Sequence, residues 1–96
     1  MKVYFVYILK CSDDTFYTGF TNDLLKHLGE HSVGRHPDSY TYTRRPIKLV
    51  FYSEFTNPSI AIDREKQIKN WSQAKKTALI NGSLINFPIL QKKDSD

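Results

Sequence analysis

A carboxylate set beside the apolar stripe of a helix is costly unless it is paired or holds a cation. Glu65 occupies such a place. Ala61 stands four residues before it and Ile68 three after, and Ile60, Ala61, Ile68 and Trp71 form the stripe expected to flank it. Arg64, Lys66 and Lys69 offer themselves as ion-pair partners, although they are read as lying on neighbouring or exposed faces. A metal site and a structural pair are both open for Glu65. A second group is tyrosine-rich. Tyr7 and Tyr17 flank a short turn, and Tyr17-Thr18-Gly19 leads into a helix start. Phenol hydroxyls can hydrogen-bond a phosphate or an attacking water and can take part in proton transfer. The same residues also suit half-buried strand aromatics. Gly19 permits either a close backbone approach or an unusual φ. A third pattern, His27-Leu28-Gly29-Glu30-His31, places two histidines four residues apart, as an inverted zinc-peptidase motif would. It would need a third ligand, for which Glu65 is a candidate. Gly29 weakens the helix that would carry it, and so short a chain leaves little room for a peptide cleft.

The elements that must hold these groups can be read from periodicity. Val3 to Lys10 is β-branched and aromatic with both parities apolar, which predicts a central strand covered on both faces. Ser12-Asp13-Asp14 is a turn cluster, so Thr15 to Phe20 closes a hairpin. Thr21-Asn22-Asp23 supplies N-cap residues for a helix over Asp23 to His31, with Leu24, Leu28 and His31 on one face and His27 at its edge. Ser32 to Arg45 is a loop long enough to be functional. Ile47 to Glu54, entered through Pro46, is a third strand. Asn57-Pro58 starts a helix running to Trp71, and Ser72 starts another that Gly82 ends near Asn81. The order β-β-α-β-α-α predicts an α+β domain, a mainly antiparallel three-stranded sheet flanked by helices. Residues 1–82 make up the domain and 83–96 a weakly patterned, partly disordered extension, frayed from Gln91 on.

Composition narrows the partners. The chain has 96 residues, which is one domain and one core. A net charge of +4 and a sequence pI near 9.2 fit an anionic partner such as nucleic acid. Arg64, Lys66, Lys69, Lys75 and Lys76 crowd the last two helices, and Arg44, Arg45 and Lys48 border the loop. Such residues bind phosphates without regard to sequence, or they form a solvated face. The single cysteine, Cys11, excludes an intrachain disulfide and a thiolate zinc site. The apolar N-terminal run is too short to span a bilayer and too aromatic for a signal peptide, so a cytoplasmic protein without a membrane partner is expected.

Phe5-Val6-Tyr7 and Tyr17-Thr18-Gly19 resemble the two halves of the GIY-YIG motif, with Phe5 in place of the first glycine. The helix Asp23–His31 resembles the family's first helix, and Arg64-Glu65 its helix bearing a metal-binding glutamate. Tyr-Thr-Gly, Arg-Arg-Pro and the phrase Arg64 to Lys69 are similar to those of small stand-alone bacterial members. The resemblance implies a GIY-YIG fold and a metal-dependent endonuclease that hydrolyses a DNA phosphodiester, of the kind used in DNA repair or recombination. It implies one Mg²⁺ or Mn²⁺ ion held by Glu65. It makes Tyr7 the general base or the orienter of water, and places Tyr17 and His31 on the phosphate or that water. Tyr40 approaches the site from the loop. Gly19, Lys26, Arg44, Arg45, Arg64 and Lys69 are the further expected substrate contacts. The expected partner is DNA, branched or otherwise structured, and strong sequence specificity is not expected of so short a chain, which lacks an appended recognition domain. The family's arginine position falls on His27. Histidine forks fewer donors onto a phosphate and is only partly charged near neutral pH. The resemblance therefore also allows an inactive module that binds nucleic acid with the nuclease fold.

Overall fold

The computed structural model describes residues 2–82, so the predicted C-terminal extension lies outside the described residues. Tyr4–Lys10 forms β1, Phe16–Thr21 β2, Leu24–Val33 α1, Lys48–Phe55 β3, Pro58–Lys69 α2 and Gln73–Ile80 α3. The strands make one antiparallel sheet in the order β2-β1-β3, so the most apolar strand is indeed central. Val6, Ile8 and Leu9 are completely buried, and Tyr7 nearly so. β1 pairs with β3 in constant register from Tyr4 opposite Phe55 to Ile8 opposite Phe51. Leu9 then lies opposite Leu49, so Val50 is the extra residue of a bulge.

The register sorts the side chains of β1 onto two faces. Val6 and Ile8 pack with Ala61 and Ile68 of α2 and Leu79 of α3. Phe16, Phe20, Val50, Phe51, Phe55 and Trp71 surround that core. Tyr7 and Leu9 face the other way, with Gly19 directly opposite Tyr7 and Tyr17 directly opposite Leu9 on β2. Tyr7 and Tyr17 thus lie on the sheet face opposite Val6 and Ile8, whereas Glu65 is carried by α2 on the side of the apolar core.

Local chemistry sets the helix ends. The Asp23 carboxylate accepts the Lys26 N–H, and Gly34, at φ 70°, closes α1 by donating to the Glu30 and His31 carbonyls. The Asn57 side chain accepts the N–H groups of Ser59 and Ile60 with Pro58 at the first position, and Ser72 accepts the Lys75 N–H. Three differences from the sequence reading stand out. α1 runs to Val33, two residues past its predicted end at His31. α2 stops at Lys69, with Asn70 as its cap, short of Trp71. The predicted loop after α1 contains a 3₁₀ turn over Tyr42–Arg44. This loop is pinned to the β1–β2 turn. The Ser12 N–H donates to the Arg44 carbonyl at 2.8 Å, and Arg44 Nε donates to Asp13 Oδ2 at 3.1 Å.

Candidate active site

Tyr7 is the fixed point. It is anchored on the central strand, and its ring lies across Gly19 of the neighbouring strand. A Cβ built on Gly19 would overlap the Tyr7 Cζ and hydroxyl and would lie 2.9 Å from Cε2. Of the two reasons for a glycine here, close approach is the operative one, because the φ of Gly19 is not in the left-handed region. Beyond Gly19 the Tyr7 ring meets Tyr17 at 6.4 Å between centroids and His31 at 6.4 Å. The Tyr7 hydroxyl lies 3.4 Å from His31 Nε2. Burial, reinforced by the nearby Tyr17, Glu65 and Glu30, pushes the Tyr7 hydroxyl well above the ordinary tyrosine range. Tyr7 therefore keeps its proton at neutral pH.

α1 brings the histidines. His31 is its buried residue, set against Tyr17 at 5.2 Å between centroids. One helical turn earlier, His27 stands 6.5 Å from His31. Burial pushes the His31 imidazolium down, helped by His27 and His36 and opposed by Glu30. Its Nδ1 lies 2.7 Å from the hydroxyl of Thr41, which is 1 % exposed. In this arrangement both ring nitrogens of His31 face protein hydroxyls, and Glu30 is paired to His36 at 3.0 Å. The zinc-peptidase reading of His27 to His31 fails on that geometry.

The loop closes the far side. Tyr40 stacks on Tyr17 with centroids 6.1 Å apart and planes 20° from parallel. Arg44 covers the Tyr40 ring at 3.8 Å, and its Nη1 donates to the Tyr40 carbonyl at 2.8 Å. These groups enclose an open cavity of about 420 Å³. Tyr7, Tyr17, His27, His31 and Tyr40, all candidates from the sequence, line it. Phe20, His36, Asp38 and Ser39 line it as well, and the sequence reading passed them over.

Glu65 is not among the residues that line the cavity. Its side chain is 14 % exposed, and its charge is felt by the Tyr7 hydroxyl. Lys69, one turn along α2, places its Nζ 2.9 Å from Glu65 Oε2. That contact corrects the expectation that the lysines lie on other faces: the i, i+4 spacing puts Lys69 on the same face as Glu65. The hydrogen bond that Lys69 donates to Glu65 is the main cause that raises the Lys69 pKa. Ile60 is also corrected. It is 55 % exposed, so the inward stripe of α2 is Ala61, Glu65 and Ile68.

The remaining expected substrate contacts are dispersed. Gly19 is buried beneath Tyr7, and Arg44 lies behind Tyr40. Arg45 is drawn to the end of α1. Its guanidinium covers Gly34 and the Tyr42 ring, and its Nε donates to the Tyr42 carbonyl. Lys26 and Arg64 are exposed and outside the cavity lining. No sequence signal marks Thr41. Its role depends on a contact between the loop and α1 that periodicity does not encode.

A family model described as the GIY-YIG catalytic domain matches residues 3–78. The chain belongs to the GIY-YIG family. It is 46% identical over 80 residues to a UPF0213 protein of Syntrophus aciditrophicus, covering 83% of this chain and 92% of that one. It is 40% identical over 77 residues to a UPF0213 protein of Natronomonas pharaonis, covering 80% and 89%. Among solved structures, the UPF0213 protein BH0048 from Bacillus halodurans matches with a TM-score of 0.55 and 33% identity, over 95% of this chain and 94% of that one. The protein EF2693 from E. faecalis matches with a TM-score of 0.59 and 30% identity, over 88% and 90%. The expected α+β, GIY-YIG-like fold is therefore established. The GIY-YIG family is one of nucleases, which act on nucleic acid and generally use divalent metal ions. Among the described residues no helix is long and apolar enough to cross a membrane.

Proposed function

We propose that this GIY-YIG protein is a metal-dependent DNA endonuclease. The observation that carries the reading is the convergence of Tyr7, Tyr17, His27, His31 and Tyr40 on one cavity, with the Glu65 charge acting on Tyr7. Glu65 fits a divalent ion. It is a largely buried carboxylate whose charge acts on Tyr7, and the lysine on it is 58 % exposed and free to swing into solvent. A hard cation such as Mg²⁺ or Mn²⁺ takes one or two carboxylates and keeps most of its waters. When bound, it would supply charge to stabilise the oxygen that leaves phosphorus.

The chain's own residues would perform the rest. The Tyr7 hydroxyl accepts a proton from the attacking water while passing its own proton to His31 Nε2, the neighbour already in reach at 3.4 Å. The water oxygen bonds to phosphorus, the bond to the leaving oxygen breaks, and that oxygen takes a proton from solvent. Tyr17 and His27 are placed to donate hydrogen bonds to the phosphate from the cavity wall. The substrate we expect is branched or otherwise structured DNA, held by non-specific phosphate contacts.

His27 favours a second reading, a module that binds DNA and does not cut it. Its ring supplies fewer donors than a guanidinium and no permanent charge. The test is incubation of the purified protein with branched, single-stranded and duplex DNA, with Mn²⁺ and with chelator. Metal-dependent cutting that Glu65→Ala removes is the expected result, and unchanged cutting in that variant would sink the assignment. Salt-dependent binding without product, converted to cutting by His27→Arg, would establish the second reading instead.

A further inference from the structure

His31 is held from both sides. Its Nε2 faces the Tyr7 hydroxyl and its Nδ1 faces Thr41 Oγ1, at 3.4 and 2.7 Å. Behind Thr41, Ser39 Oγ lies 3.1 Å from Thr41 Oγ1 and accepts the Thr41 backbone N–H at 3.3 Å. A neutral imidazole carries one N–H and one acceptor nitrogen, and the partner of one nitrogen decides the role of the other. Two hydrogen-bond directions satisfy this row. In the first, Tyr7 donates to Nε2, Nδ1–H donates to Thr41, and Thr41 donates to Ser39. The second runs the opposite way, with Nε2–H donating to the Tyr7 oxygen.

The chemistry favours the first direction. The phenol is the most acidic of the three hydroxyls, and hence the strongest donor available to an imidazole nitrogen. Ser39 accepts at both lone pairs, from the Thr41 amide and the Thr41 hydroxyl. Each buried polar atom of the row then has a partner, as buried groups require. The burial that depresses the His31 imidazolium keeps the ring neutral at pH 7, so an acceptor nitrogen is present.

We propose that Thr41 is a positioning residue for the reaction: its hydroxyl accepts the Nδ1–H of His31 and so leaves Nε2 as the acceptor for the Tyr7 proton. The catalytic consequence rests on the nuclease reading, whereas the hydrogen-bond direction does not. As Tyr7 takes the proton of the attacking water, its own proton moves to Nε2. The resulting imidazolium keeps its Nδ1–H on Thr41, and the proton later returns to solvent. Valine in place of Thr41 would fill the same space and leave Nδ1–H buried without an acceptor. The ring then gains by carrying its proton on Nε2, where it points at the Tyr7 oxygen and closes the route.

The experiment is nitrogen NMR of the full chain with ¹⁵N-labelled histidine, without DNA, on the wild type, Thr41→Ser and Thr41→Val. The expected result is a proton on Nδ1 of His31 in the wild type and the serine variant, and on Nε2 in the valine variant. Cleavage should fall on the order of a hundredfold with valine and recover with serine. A wild-type proton on Nε2 would overturn the proposal. So would a folded valine variant with unchanged tautomer and rate. Should valine prevent folding, the wild-type and serine tautomers still decide the matter. An Nδ1–H tautomer in a protein that cuts no DNA would overturn the nuclease reading and support the assigned direction.

Discussion

Substituting Gly19 by alanine tests the geometry of the site without needing its activity. Gly19 and Tyr7 are register partners on adjacent strands, and the phenol ring rests on the glycine backbone. The new methyl would overlap the ring at Cζ and the hydroxyl. At Cε2 it would sit 2.9 Å away, where favourable carbon contact begins near about 3.5 Å, so the ring must shift by roughly 0.6 Å there and by more at the hydroxyl. Tyr7 has little room to yield, because it is 2 % exposed and hemmed by Tyr17 and His31. Overpacking of this kind costs about 1–3 kcal/mol. In a domain of this size each kcal/mol lowers Tm by roughly 4–8 °C. The hydroxyl would also leave His31, and misplacement by about 1 Å can cost on the order of a hundredfold in rate. Thermal unfolding of wild type and Gly19→Ala, with Tyr7→Phe and the double variant completing a cycle, measures the coupling. A Gly19→Ala protein as stable as wild type, with its Tyr7 ring resonances unmoved, would refute the argument.

Acidification should destabilise the fold through His31. Its folded pKa lies below the unfolded value, so the unfolded chain binds the extra proton first. Stability is then full above about pH 6.5 and is lost as pH falls below it. Urea titrations at pH 7 and pH 5 should show that loss, and His31→Gln should flatten it. Arg44→Ala should loosen the loop. The Arg44–Tyr40 stack alone is worth about 0.5–1 kcal/mol, so local opening should rise roughly two- to fivefold. Faster hydrogen exchange at the amides of Tyr42 and Arg44 would show it, and unchanged exchange would mean that the stack does not hold the loop.

Much of the fold was legible because each element carries its own signal. The doubly apolar β1 and the Asp23 and Asn57 caps act locally, and the structure uses them as local chemistry suggests, whereas the capping role of Gly34 was not read from the sequence. What stayed hidden depends on how elements meet. The bulge at Val50 is a property of two strands, since β3 alone gives no reason to slip by one residue. Ile60 looks like a core residue by type, yet the helix is turned so that Ala61 faces the sheet. Within the site, Tyr7, Tyr17, His27, His31 and Tyr40 were identified as candidates and share the cavity. Ser39, His36 and Asp38 reach it, and Thr41 reaches His31, only because the loop folds back on the hairpin turn, and no spacing rule anticipates that contact.

The cations around this site explain why His27 is the informative position. Arg44 is committed to Tyr40 and Asp13, Arg45 to Tyr42, and Lys69 to Glu65. Arg44 holds the wall residue Tyr40 and the β1–β2 turn, so recruiting it to a phosphate would sacrifice a contact that shapes the cavity. His27, by contrast, lines the cavity directly, one turn from His31 on the same helix. A guanidinium at that place adds permanent charge and a planar fork of donors where a phosphate would sit, while Tyr7, Gly19 and His31 keep their places. The effect of His27→Arg on cleavage therefore reports on charge at the phosphate, whereas removal of Arg44 would mix charge with a rearranged wall.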